Sequence, residues 1–275
     1  MHPEAPLASH RFEALGTSCA IFAVGAPAAR LCEAESWVHA LGERLTRFSS
    51  SSELSRLNAS CGKWTATSVE MDALLRASLD AFEMSGGLVN IGVLPAVLAT
   101  GYTRTLSEGP TAAQLESAQP IPALPEVLEV RHGAARLRPG AGLDLGGIAK
   151  GWMADRLCDW LGPNALANIG GDLMAKGSGP RDEGWPVGLG GETLMLRDQG
   201  AATSSVRRRR WGGLHHLIDP RTGAPSRSGL ADVSVVATSG LEAEVVAKTA
   251  LLLGPELAPV YCAGHSLAWW LGREQ

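Results

Sequence analysis

The sequence lacks any uninterrupted apolar run of the roughly 18 or more residues that a membrane-spanning helix takes, so no such helix is expected within these residues. It lacks a basic excess as well. With 24 Lys and Arg against 28 Asp and Glu the net charge is -4 and the isoelectric point about 6.0, so no global field draws the chain to nucleic acid or to an anionic membrane. The opening residues, MHPEAPLASHRFEALG, show no basic start followed by an unbroken apolar stretch, since Glu4 and His10 interrupt it; a soluble, cytoplasmic protein is expected. Cysteine is sparse. Cys19, Cys32, Cys61, Cys158 and Cys262 are odd in number and widely spaced, which suggests neither a disulfide framework nor a CxxC zinc site and leaves each expected as a buried free thiol. Internal repeats and low-complexity linkers are also missing.

What is present is 275 residues with a hydrophobic share of 45%, a charged share of 19% and 33 glycines, enough for a substantial core and rich in turns. The expectation is α+β, with mixed β-sheets packed against helices, over residues 1–275 as a single domain or two tightly packed lobes. Arg11 to Val24 reads as a strand bent at Gly16. Leu31, Ala34, Val38, Leu41, Leu45 and Phe48 recur by threes and fours, the buried stripe of an amphipathic helix. The serine run that follows reads as a loop or helix cap, and Thr67 with Glu70 as the capping box of a second helix, buried through Met71, Leu74, Leu75, Leu79 and Phe82. Four prolines between Thr105 and Glu126 suggest a surface excursion with a short helix around Ala112 to Ser117. Two short runs around His132–Gly133 predict a hairpin. A helix from Gly147 to about Leu161 is expected to bury Met153, Leu157, Trp160 and Leu161. Strands are expected over Ala165–Gly171, Asp172–Gly177, Asp232–Ala237 and Leu267–Leu271, with a helix over Leu241–Leu253.

The chemistry-bearing stretch is Leu143 to Asp155, LDLGGIAKGWMAD. A strand-like start runs through Gly146 and Gly147 into a helix, so backbone can approach a ligand and helix N–H groups can face a phosphate. Asp144 beside it repels phosphate unless a cation or a donor group intervenes; the alternative is a glycine-rich connection with Asp144 as a local cap. NIGGD and HHLIDPRTG are further strand ends of this kind, and together the three supply backbone donors, Asp144, Asp172, Asp219 and an imidazole, the mixture that a nucleotide or phosphoryl-transfer site needs. In a strand, His215 and His216 point to opposite faces, so at most one faces a given cleft. Thr203, Ser204 and Ser205 offer hydroxyls or form a polar turn. Arg207 to Arg210 can attract a nucleotide phosphate by charge and forked hydrogen bonds but reads more often as a solvated loop or edge, and Glu244 with Lys248 reads as a surface pair or as two groups facing a pocket.

LDLGGIAKGWMAD, ALANIGGD, TSS and HHLIDPRTG, with ALGTS and RFSSSSELSRLN before them, resemble in order and spacing the ApbE family of FAD:protein FMN transferases, over about Arg11 to Gly254. The resemblance implies a T-fold-like α+β architecture that takes FAD as substrate and, with magnesium, releases AMP while esterifying FMN to a Thr or Ser of an acceptor protein. FAD hydrolysis to FMN and AMP, and non-catalytic FAD carriage, are the alternatives. By position it implies His216 as catalytic base or proton relay. The implied cofactor-binding residues are Asp144, Gly146, Gly147, Lys150, Gly170, Gly171, Ser204, His216 and Lys248, and Ala149 and Glu244 are the implied metal ligands. Where the family carries an Asp and a Thr as metal ligands four residues apart, this chain has Glu244 and Lys248; an ammonium cannot ligate a cation, so Lys248 is placed where it can stand in for one. Asn90 stands where the family often has Asp.

Overall fold

The structure is a computed structural model that describes residues 6–116 and 118–273. Its first two strands, β1 (Leu7–Ala14) and β2 (Thr17–Val24), pair antiparallel across a turn in which Leu15 and Gly16 take φ of +55° and +68°. The expected bent strand is thus a tight hairpin, because two successive left-handed residues reverse the chain. Helix α1 (Ala28–Leu45) buries Leu31, Ala34, Val38, Leu41 and Leu45 as the spacing predicts, each fully buried Leu contributing roughly 1.5–3 kcal/mol. Phe48 lies beyond its end and is 41% exposed. Ser52 caps α2 (Glu53–Asn58) by accepting from the Ser55 N–H.

After β3 (Thr65–Ala66) comes α3 (Val69–Met84), capped by Ser68 rather than Thr67. Ser68 Oγ accepts from the Met71 N–H, and Glu70 pairs with Arg44 instead of closing a capping box. Met71, Leu74 and Leu75 are buried as expected, while Leu79 and Phe82 are half-buried. Next come α4 (Leu94–Ala99), an exposed excursion with one 3-10 turn at Leu106–Glu108, and α5 (Leu124–Val127). Residues 112–116 form no helix, and Ser117 lies outside the described residues. The expected hairpin is β4 (Leu128–Arg131) with β5 (Ala134–Leu137), extended by β3.

Helix α6 (Ala149–Leu161) buries Met153, Leu157 and Leu161, but Trp160 is 39% exposed and Trp152 takes its place in the core. The hairpin β6 (Ala165–Ile169) and β7 (Asp172–Lys176) matches expectation. A second hairpin, β8 (Trp185–Leu189) and β9 (Glu192–Leu196), precedes β10 (Gln199–Ser205), so TSS ends a strand rather than forming a turn. Short pairs follow: β11 (Arg210–Trp211) with β12 (Leu214–His215), then β13 (Ile218–Asp219) with β14 (Ala224–Pro225). The chain continues through β15 (Leu230–Ala237), α7 (Gly240–Leu253), α8 (Ala258–His265) and β16 (Ala268–Arg273).

Seven strands form a sheet in the order β1-β2-β6-β7-β10-β15-β16, antiparallel at every pairing. Alternation divides its faces: Ala165, Ala167 and Ile169 join the core under α1 and α6, whereas Leu166 joins Trp185, Val187 and Leu189 of the β8–β9 hairpin. Helices α6 and α7 lie against each other on the first face and cap each other. Asp155 of α6 accepts from the N–H groups of Gly240 (2.7 Å) and Leu241 (3.0 Å), while Glu244 of α7 accepts from the Gly151 N–H (2.9 Å). All three donors are first-turn N–H groups without an intrahelical partner. Their approach needs glycine, since a Cβ on Gly151 would lie 2.4 Å from the Gly240 carbonyl oxygen. Burial pushes the Asp155 carboxyl up to about 6, against the pull of the two N–H donors. Cys19, Cys158 and Cys262 are buried free thiols as expected, whereas Cys32 and Cys61 are exposed.

Candidate functional site

Residues 143–145 reach α6 as an extended loop, not a strand. The Asn58 amide holds the loop, donating to the Leu143 carbonyl (3.0 Å) and accepting from its N–H (2.8 Å). Asp144 Oδ1 accepts from the Gly146 N–H (2.8 Å), which is the local cap, and Oδ2 accepts from Arg47 Nε (2.8 Å). Arg47 is therefore the cation beside this carboxylate. It is itself sandwiched by aromatics, its guanidinium carbon 4.3 Å from the Phe48 ring centre and 4.5 Å from that of Tyr102. That contact gives Phe48 the role its helix spacing did not.

Two cavities, the second the larger, meet over the glycine turn. The first is lined largely by apolar side chains, among them Leu88, Val89, Ile91, Val97, Tyr102 and Ile218. Asn90 also lines it, but its amide is used locally, accepting from the Gly92 N–H and donating to the Pro122 carbonyl. The second is polar, with Thr17, Lys150, Asp172, Ser204, Arg208 and Glu244 in its wall. Gly146, Gly147, Arg209, His216, Leu217 and Lys248 belong to both. The cleft thus has an apolar end, a polar end and a basic waist.

Most of the sequence-derived residues converge here. Asp144, Gly146, Gly147, Lys150, Gly170, Ser204, His216, Glu244 and Lys248 all line one or both cavities. Gly171 and Ala149 line neither. Gly171 is the second residue of the β6–β7 turn, with φ of +102° and its N–H donating to Asn168 Oδ1, and Ala149 is buried at the head of α6. The two histidines part, although β12 ends at His215 and His216 lies in the bend beyond it, so strand alternation is not the cause. His215 Nε2 donates to the Ser226 carbonyl (3.0 Å) and Nδ1 accepts from the Leu217 N–H (3.3 Å), a structural role. His216 faces the cleft, with Nδ1 shut off from water and without a hydrogen-bond partner. Desolvation, helped by Arg209, Lys248, His215 and Lys150, holds its pKa well below the usual 6.5, so the imidazole is neutral at physiological pH.

The run Arg207 to Arg210, which in sequence offers either phosphate-binding cations or a solvated loop, divides: Arg208 and Arg209 line the polar cavity. Arg207 and Arg210 are exposed as expected, but Arg209 has φ of +47° and places its guanidinium near Gly146. A non-glycine residue in that region costs backbone energy and is commonly held at functional sites.

Glu244 is 4% exposed and Lys248 half-buried, which removes the surface-pair reading. Lys150 Nζ forms an ion pair with Asp172 and lies 3.6 Å from Glu244 Oε1. Lys248 Nζ donates to the Gly147 carbonyl and occupies the space a Cβ on Gly147 would need, 1.6 Å from that position. Desolvation lowers the pKa of both lysines. A divalent cation held by Ala149 and Glu244 does not fit these residues. One Glu244 oxygen caps α6 and the other faces Lys150, Ala149 is off the cleft, and among the described residues no three His, Cys, Asp or Glu side chains come together as a metal site.

Sequence and fold both have known counterparts. The FAD:protein FMN transferase of Klebsiella pneumoniae is 34% identical over 137 residues, covering 42% of this chain and 40% of that protein. That of Haemophilus influenzae is 24% identical over 265 residues, covering 87% of this chain and 77% of its own length. In structure, the apo crystal form of the Pseudomonas stutzeri flavinyl transferase ApbE superposes with a TM-score of 0.83 at 22% identity, over 98% of this chain and 94% of that one. The flavin transferase ApbE from Vibrio cholerae gives 0.80 at 20% identity, over 98% and 97%. The ApbE family model matches residues 15–269, and the chain belongs to the ApbE family.

Proposed function

We propose that this chain is an FAD:protein FMN transferase, read as one functional unit, that moves FMN from FAD to a Thr or Ser of an acceptor protein and releases AMP. The observation that carries the reading is the waist of the cleft, where a neutral imidazole, His216, shares a wall with Lys248, Arg209 and the Gly146–Gly147 backbone, between one apolar and one polar cavity. FAD has two ring systems joined by a pyrophosphate, and the cleft matches that order of chemistry. Lys248 and Arg209 hold the pyrophosphate, and the six shared residues keep the two halves of FAD apart.

An acceptor hydroxyl entering at the waist loses its proton to the neutral imidazole of His216, and its oxygen attacks the FMN-side phosphorus. The bond between that phosphorus and the bridging oxygen breaks, AMP leaves with the bridging oxygen, and the proton passes from His216 to solvent or to the departing phosphate. Ser204 and Gly170 line the polar cavity, and Lys150 acts on this site through its pairing with Asp172 and Glu244. The expected magnesium has no ligand set in these residues, so every step is assigned to side chains. No helix among the described residues is long and apolar enough to cross a membrane; a cytoplasmic location rests on the sequence reading, and cell fractionation checks it.

The test is incubation of the purified protein with FAD and candidate acceptors, with and without magnesium, reading covalent flavin by in-gel fluorescence and AMP by chromatography. Flavinylated acceptor with equimolar AMP is expected. AMP alone would convert the reading to FAD hydrolysis, and neither product with any acceptor would overturn it.

A further inference from the structure

The carboxylates of the cleft are already used. Asp144 is held by Arg47 and by the Gly146 N–H, Asp172 by Lys150, and Glu244 by the Gly151 N–H with Lys150 beside it. Against these three, the walls carry four basic side chains: Lys150, Arg208, Arg209 and Lys248. Lys248 differs from Lys150 in having no carboxylate within ion-pair distance among the described residues; its ammonium donates to the Gly147 carbonyl. Lys248 is half-buried, and Glu244 and Asp144 act on its charge only from beyond ion-pair distance. An ammonium taken from water without a close partner is costly, and its position in the wall of both cavities makes the cleft the place where an anion can meet that charge. Arg209, in its left-handed backbone conformation, brings a second cation to the same waist. His216 lines the same waist.

We propose that Lys248 and Arg209 are the anion-binding cations of this cleft, so that the pyrophosphate of FAD is held here by side-chain ammonium and guanidinium groups and needs no divalent metal to bind. The inference rests on FAD being the ligand and deepens that reading by naming what neutralises its charge. The arrangement is self-consistent. Without ligand, Lys248 leans on the Gly147 carbonyl; a phosphate oxygen at the waist offers it a charged acceptor, and charge-assisted hydrogen bonds of this kind are roughly twice as strong as neutral ones. A divalent cation at the same point would face the ammonium at close range and find no free carboxylate.

The experiment is calorimetric titration of FAD, and of riboflavin as a phosphate-free control, into the wild-type protein and Lys248→Met, each in EDTA and in excess magnesium. Met keeps most of the side-chain volume and removes the charge. The expected result is the same FAD affinity for the wild type in both buffers. Lys248→Met should lose roughly 10- to 150-fold in FAD affinity, the equivalent of one charged hydrogen bond, with riboflavin affinity unchanged. The wild-type comparison stands whether or not the variant folds. FAD affinity that falls at least about tenfold when magnesium is removed overturns the inference while leaving FAD as the ligand, and an unchanged FAD affinity in folded Lys248→Met overturns it too. No FAD binding in either buffer removes both the inference and the reading it rests on.

Discussion

The two walls of the cleft are made of different material. The wall at the start of α6 presents mainly backbone: Gly146 and Gly147 line both cavities, with Asp144 turned back to cap the Gly146 N–H and pair with Arg47. The opposite wall, from α7 and the Arg209–Leu217 segment, presents side chains, namely Lys248, Arg209 and His216. Backbone gives shape and hydrogen-bond donors with little room for substitution, while side chains give charge and a proton acceptor that one codon can change. The two are locked together by the mutual capping of α6 and α7, so neither moves alone.

The sharpest test of this division is His216→Ala. It should lower the rate of AMP release by roughly 10²- to 10⁴-fold, the usual worth of a general base, with FAD affinity unchanged by titration; a comparable loss of affinity would make the imidazole a binding group instead. Next is the joint between the walls. Gly151→Ala drives a methyl group into the Gly240 backbone, where no flexible side chain can yield, and should cost about 1–3 kcal/mol in urea unfolding. Removing the cap from the other side, Asp155→Ala leaves the Gly240 and Leu241 N–H groups unmatched and should cost about 0.5–2 kcal/mol in the same assay. The smallest effect is an absence of slope. Because the His216 pKa in the folded protein lies well below 6.5, the base stays unprotonated as pH falls through 6.5, and kcat/KM should hold level there and drop only at lower pH. A half-loss at 6.5 would mean an ordinary, solvated imidazole on that wall.

Local pattern carried much of the fold. The stripes of α1 and α3, the β4–β5 and β6–β7 hairpins and the span of α6 follow from periodicity and turn glycines, and they appear close to where those rules put them. The misses share a cause. Phe48 and Trp160 fit the helical period, yet Phe48 is past the helix end and Trp160 is turned outward, because a period does not say where a face stops being covered. Thr67 satisfies the capping-box spacing, but Ser68 takes the cap because Glu53 accepts its N–H and hydroxyl. Of four consecutive arginines, nothing local distinguishes the two that line the polar cavity from the two that do not. For the site, the α6 wall was legible and the Arg47–Asp144 pair was not, since its partners lie 97 residues apart.

By itself the sequence determined the α+β character, the glycine turn ahead of α6 and the family to which the chain belongs, because these depend on residue type and spacing. Only the tertiary structure decided the state of the charges. Glu244 and Lys248 read equally well as a surface pair, as pocket residues or as a metal ligand beside a substitute cation. Packing α7 against α6 buried Glu244, engaged it with the Gly151 N–H and set the half-buried Lys248 at the waist with no carboxylate within ion-pair distance among the described residues. The physical reason is that the cost of burying a charge, and the partner that offsets it, depend on what other segments bring within a few ångströms, which spacing along one helix does not encode.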